Sequence, residues 1–201
     1  MNYTGRAQGR REAPIGERLI ALRKRAALSI TDLSGKANVS VGMISQIERG
    51  LTNPSLRTLT RLSDALQVPL MTLLELETPA TADAMQGDIV RTLTSRPFFK
   101  VGDDGVIKEL LSPSGDHLLQ MMVISLPPGS NSGEALIGKG EKAGWVMEGT
   151  GLLTLGSSVV QLEAGDSFQF SSEIPHSIGN VGQQHAKIFW IMAVEKTNVT
   201  I

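Results

Sequence analysis

The chain has 201 residues, 41% hydrophobic and 19% charged, a globular balance with room for two small domains. It has no cysteine, which excludes disulfide frameworks, thiolate zinc sites and cysteine nucleophiles, and no run of about 18 apolar residues that would span a membrane. The net charge of −1 is unevenly divided: residues 1–69 hold 11 Lys and Arg against 5 Asp and Glu, and the remainder 8 against 15. A basic front before an acidic rear suits a nucleic-acid-facing module joined to something else. The first 25 residues carry seven Arg and Lys and lack the apolar stretch of a secretory signal, so the cytoplasm is the expected location.

In chain order, residues 1–14, with Arg6, Arg10 and Arg11, read as a disordered basic tail. Over residues 15–76 apolar side chains recur at helical spacing: Ile15, Leu19 and Leu22, then Leu56, Leu59, Leu62 and Leu66. Ser29 followed by Asp32 and Leu33 predicts a capping-box start, and Asn38 an end. Ser40 predicts the cap of a second short helix, Val41 to Arg49, with Gly50 suited to the left-handed exit. Asn53-Pro54-Ser55 turns into the next helix. Two short helices separated by Lys36 to Ser40 make a helix-turn-helix arrangement. Residues 77–97, containing Thr78-Pro79-Ala80-Thr81-Ala82, read as a linker. From His117 onward the apolar runs are short and bounded by Gly, Pro, Ser or Asn: Leu118 to Leu126, Trp145 to Met147, Val159 to Leu162, Ser167 to Phe170 and Ile188 to Val194. The expected architecture is α + β multidomain: an all-α domain at 15–76 and an all-β domain at 98–201.

The run Ser29-Ile30-Thr31-Asp32-Leu33-Ser34, with Val39-Ser40, Ile44-Ser45-Gln46-Ile47-Glu48-Arg49-Gly50, Asn53-Pro54-Ser55-Leu56 and Leu66-Gln67-Val68, resembles the phage-repressor (XRE) family of helix-turn-helix proteins. The resemblance implies a five-helix, lambda-repressor-like DNA-binding domain. A helix in the major groove reads base edges with its exposed first turns. Ile44 and Ile47 should pack inward, leaving Val41, Gly42, Ser45 and Gln46 facing outward. Gln46 can bond two edges of adenine, and Val41 can touch a thymine methyl. Val41 and Gly42 are less polar than the matching positions of phage members, so DNA shape should carry more of the specificity. The resemblance also pairs Arg23 with Glu48, which orients Arg23 near the DNA backbone. Arg49, Asn53, Arg57 and the backbone N–H groups near Ser29 and Ser40 are the expected phosphate contacts.

In the rear half, Glu141-Lys142-Ala143-Gly144-Trp145-Val146-Met147-Glu148-Gly149 and Gly165-Asp166-Ser167-Phe168-Gln169-Phe170 with Ile174-Pro175-His176 and Asn180 resemble the two motifs of the cupin family. Pro127-Pro128-Gly129 precedes the first. The resemblance implies an antiparallel double-stranded β-helix, or jelly roll. Of the metal-ligand positions it implies, Leu136 and Gly138 stand for the two histidines and Lys142 for the glutamate; His176 alone keeps its residue. One imidazole beside an ammonium lacks the three or four donors a transition metal needs, so no metal and no cofactor is expected. Lys142 and His176 are instead the candidate contacts to an anionic or zwitterionic metabolite, with Phe168, Phe170 and Trp190 as apolar walls.

The order helix-turn-helix then cupin resembles a class of bacterial regulators that sense small metabolites, among them polyamines and amino-acid derivatives. The expected function is a homodimeric, sequence-specific transcription factor acting as a repressor, with an operator DNA and a small-molecule effector as partners and no membrane. The alternative is a metal-free cupin enzyme of the isomerase or epimerase kind with a DNA-tethering domain.

Overall fold

A computed structural model of the chain describes residues 12–68, 70–74, 89–113, 117–133 and 138–193. The front half folds as α1 (Ile15–Arg25), α2 (Ile30–Ala37), α3 (Val41–Glu48), α4 (Leu56–Ala65) and α5 (Leu70–Leu74). The expected boundaries hold closely because the caps that set them are made. Ser29 Oγ accepts from the Asp32 N–H, and the Asp32 carboxylate accepts from the Ser29 N–H. This is the reciprocal box that satisfies two orphan donors. Asn38 closes α2 in the left-handed conformation at φ 50°, and Gly50 leaves α3 at φ 66°. Leu19, Leu33, Ala37, Ile44, Ile47, Leu62, Leu66 and Leu73 form one buried cluster, in which Leu19, Ile44, Ile47, Leu62 and Leu66 are the expected inward positions. Gly16 lets α1 rest against the end of α3: a Cβ there would lie 2.5 Å from the Ile47 carbonyl oxygen.

The rear half forms β1 (Phe98–Val101), β2 (Val106–Leu110), β3 (Leu119–Leu126), β4 (Glu141–Glu148), β5 (Thr150–Leu155), β6 (Ser158–Glu163), β7 (Ser167–Ser171), β8 (His176–Gly179) and β9 (Ala186–Ala193). A six-stranded sheet runs β1-β2-β3-β9-β4-β7 and a three-stranded sheet β6-β5-β8. All pairings between these strands are antiparallel, as in a jelly roll. Alternation fixes the faces: β3 buries Gln120, Met122, Ile124 and Leu126 in succession. The side chain of Asn180 ties the end of β8 to the Leu126 and Gln184 carbonyls at 2.9 and 2.7 Å.

Four strands, β1, β2, β5 and β8, lie outside the segments read from the sequence. The stretch 77–97 is also less uniform than a linker: Leu93–Ser95 is a 3-10 turn, and Arg96 pairs with Glu109 of β2 at 3.5 Å. Residues 77–88 of that stretch lie outside the described residues, as do residues 75 and 76 of the expected helical domain and residues 1–11 of the expected basic tail with Arg6, Arg10 and Arg11. The end of that tail is anchored. Glu12 bridges Phe98, the Ala13 N–H donates to the Phe98 carbonyl at 2.8 Å, and Lys100 meets the Glu12 carboxylate at 3.2 Å.

The two halves share a core. Ala13, Leu56, Leu59 and Leu74 belong to the same buried cluster as Phe99, Val106, Met122, Ile124, Ile178 and Trp190 of the β domain. The first turn of α4 therefore faces the barrel while Leu62 and Leu66 of the same helix face α1 to α3.

Candidate functional site

Ile44 and Ile47 are fully buried, which fixes the rotation of α3. Val41, Gly42, Gln46 and Arg49 are exposed on its far side and Ser45 is half-buried. Met43, at 38% exposure, also lies there, one turn before Gln46; helical spacing from Gln46 was the signal for it. Ser40 caps α3 by accepting from the Met43 N–H at 3.2 Å. No acidic residue occupies the first turn of α3 or of α4, so both N-termini keep the partial positive charge that favours phosphate. α2 differs. Its Ser29 N–H is committed to Asp32, whose carboxyl is held below the ordinary range chiefly by the hydrogen bonds from Ser29. That fixed anion competes with phosphate at the start of α2. Asn53 is half-buried and Arg57 exposed, on either side of the Pro54-Ser55 turn.

Arg23 and Glu48 make the expected pair. Arg23 Nε donates to Glu48 Oε1 at 2.6 Å and Nη2 to Oε2 at 3.0 Å, while Nη1 donates to the Leu28 carbonyl at 2.9 Å. Both side chains are largely buried. The hydrogen bonds to Glu48 raise the already high pKa of Arg23. Arg23 thus clamps α1 to α3, and the pair removes Glu48 as a repulsive neighbour for phosphate.

In the barrel, Lys142 of β4 and His176 of β8 come together as the cupin motifs implied. The Lys142 Nζ to His176 Nε2 distance is 2.9 Å and both residues are buried. His176 Nδ1 lies 2.6 Å from the Ile174 carbonyl oxygen. A carbonyl only accepts, so Nδ1 carries the proton and Nε2 is left to accept from the ammonium. Burial, then the neighbouring Lys142 and Lys108 charges, lower the His176 pKa against the opposing carbonyl bond, so the ring is neutral at pH 7. A cupin metal would need that Nε2 lone pair, which the Lys142 ammonium occupies. Among the described residues no group of three or more His, Asp or Glu could hold an ion. The described residues of the site do not fit a metal.

The pair borders a small cavity also lined by Lys108, Met122, Ile124, Ser132, Ile178, Trp190 and Met192, and by Leu56 of α4. Trp190 stacks on His176 at 6.0 Å and 17°. Phe168 and Phe170 stand behind this wall: Phe170 packs edge-on against His176 at 4.8 Å, and Phe168 against Trp190 at 5.1 Å. Lys108 escaped the sequence reading. It shares a face of β2 with Val106 and Leu110, and the register sets it opposite Ile124. A lysine on an apolar face of a strand was the available signal. Burial lowers its pKa to about 8, with the charge of Lys142 adding to the effect, and burial lowers Lys142 to about 8 as well.

Comparison with known proteins agrees with both halves. Residues 19–73 match the helix-turn-helix family and residues 122–192 the cupin domain family. The chain is a DNA-binding transcriptional regulator of the phage-repressor-type helix-turn-helix class that carries a cupin domain. It is similar to the HTH-type transcriptional regulator PuuR of Escherichia coli, with 29% identity over 167 residues, covering 82% of this chain and 86% of PuuR. Its helical part is 42% identical over 62 residues to the HTH-type transcriptional regulator SinR of Bacillus subtilis, covering 30% of this chain and 56% of SinR. A solved helix-turn-helix family transcriptional regulator from Vibrio cholerae superposes with a TM-score of 0.62 at 22% identity, covering 92% of this chain and 97% of that one. No helix among the described residues is long and apolar enough to cross a membrane.

Proposed function

We propose that the protein is a metabolite-responsive repressor acting in the cytoplasm as a homodimer. Val41, Gly42, Ser45 and Gln46 of α3 read base edges in the major groove, with Met43 beside them. Arg49, Asn53, Arg57 and the N-terminus of α3 at Ser40 hold phosphates. Two such domains engage half-sites about 34 Å apart. The cupin domain supplies the sensor and the dimer contact. Edge strand β6, with Val159 and Val160 59% and 44% exposed, supports the latter. The effector carries a carboxylate. The observation that carries the sensor reading is the buried Lys142–His176 pair facing a cavity where a cupin metal would sit.

Non-catalytic sensing is favoured over metal-free isomerisation because both ring nitrogens of His176 are engaged, leaving it no free acid or base. The experiment is a thermal-shift screen of the whole chain against organic acids, amino acids and polyamines. A ligand at a hundred times its Kd stabilises by roughly 2.7 kcal/mol. A carboxylate that stabilises the protein and changes its DNA affinity, without being consumed, is the expected result. Turnover of any candidate, or no stabilisation across the screen, contradicts the sensor reading.

A further inference from the structure

The cavity is closed on the DNA-binding side by a residue of the DNA-binding domain itself. Of its described lining residues, nine belong to the β domain and one, Leu56, is the first residue of α4. The nine sit on, or next to, hydrogen-bonded strands. Leu56 is 6% exposed and follows the Asn53-Pro54-Ser55 turn. The free space between these described residues is about 20 Å³, enough for roughly one water molecule. A metabolite with several heavy atoms cannot enter unless a wall gives way. Moving a strand breaks ladder hydrogen bonds; moving Leu56 shifts α4 off the barrel and opens the apolar contact that Leu56 and Leu59 make with the β domain.

The chemistry of the wall selects the occupant. Lys108 is 3% exposed and lines the cavity together with Lys142. The positive charge of Lys142 acts on it, and His176 beside them is neutral. Two buried ammonium groups lining one cavity repel each other, a cost that an entering anion lowers and a polyamine raises.

We propose that Lys108, together with Lys142, clamps a compact dicarboxylate, and that its entry displaces Leu56 and so carries α4 and the adjoining Asn53–Arg57 phosphate contacts away from their DNA-competent position. The proposal rests on the sensor reading above and names its ligand class and its mechanical link. Leu56 and the dicarboxylate compete for one volume, so DNA and effector oppose each other, and by linkage each weakens the other equally.

The test is calorimetric titration of the full chain with malonate and succinate, and with butane-1,4-diamine as the cationic counterpart. It is repeated for Lys108→Met and Leu56→Ala, with an operator duplex selected from a random pool present or absent. Wild type should bind at least one dicarboxylate and not the diamine. Lys108→Met should weaken dicarboxylate binding tenfold or more while its thermal transition rises, since a buried charge is gone. Leu56→Ala should bind the dicarboxylate several-fold tighter, and its coupling to DNA should fall toward one. Should Leu56→Ala fold poorly, Leu56→Met keeps the volume with a more pliable side chain and should move both quantities in the same direction by less. Unaltered dicarboxylate binding in Lys108→Met, or coupling unaltered in both Leu56 variants, overturns the proposal. If wild type takes up another carboxylate but neither dicarboxylate, this inference fails and the sensor reading stands; uptake of the diamine overturns the carboxylate assignment in both. If no metabolite binds at all, the sensor reading fails as well.

Discussion

In the proposed reading, side chains on and around α3 divide into those that contact DNA and those, such as Arg23 of α1, that hold α3 in place. Gln46 is exposed over a buried Ile44–Ile47 floor, so its amide is presented rather than packed. Replacing it with Ala should relax preference at one base pair, a loss of about 1–3 kcal/mol of discrimination, in binding-site selection. Arg49→Ala should instead weaken all duplexes alike and reduce the slope of log affinity against log salt by about one. Arg23 belongs to the second group. Its guanidinium is engaged at Nε, Nη1 and Nη2, and its removal strands a Glu48 carboxylate that is only 7% exposed. Arg23→Met should cost about 3 kcal/mol in denaturant unfolding, and Arg23→Met with Glu48→Leu should regain much of it. An Arg23→Met protein of wild-type stability would show the pair to be ornamental.

At the scale of elements, what the sequence made legible was what local chemistry determines. The Ser29–Asp32 box, the left-handed Asn38 and the Gly50 exit each act within a few residues, so α2 and α3 could be read almost to their ends. β1, β2, β5 and β8 could not. β1 and β8 have only four residues each, β2 carries Lys108 and Glu109 in its middle, and the pairing partner of β8 lies more than twenty residues away on β5. The cupin motifs gave Lys142 and His176, because a fixed spacing defines them. Lys108 was hidden because only the β2–β3 register decides that its side chain turns inward. Packing between elements is similarly exacting at Gly16. An Ala Cβ there would meet backbone at 2.5 Å, so Gly16→Ala should part α1 from α3 and lose about 1–3 kcal/mol, read as a lowered Tm.

For the molecule as a whole, the shared core is the consequential feature, since it joins the cupin and helix-turn-helix halves through Leu56, Leu59 and Leu74. Its charge state sets a pH window. Lys108 and Lys142 titrate near 8 in the folded chain against an ordinary 10.5, with neutral His176 facing them. Between those values the unfolded chain binds more protons, so the stability of the free protein should rise with pH from about 8 toward 10.5. Carboxylate affinity should run the other way: flat below pH 8, where both ammonium groups are charged, and falling above it as they lose their protons. Titration calorimetry across pH 6.5 to about 9.5 reads this directly, and an affinity that climbs with pH would reverse the assignment. The central claim, that α3 lies in the major groove of a specific site, is tested most directly by selecting duplexes from a random pool with wild type and with Gln46→Ala at several salt concentrations. The account predicts a two-fold symmetric consensus whose half-sites are one helical turn apart. Affinity should fall steeply with salt, and the Gln46 variant should lose preference at one position per half-site. Recovery of no consensus, or of one that the Gln46 replacement leaves untouched together with salt-independent binding, would contradict it.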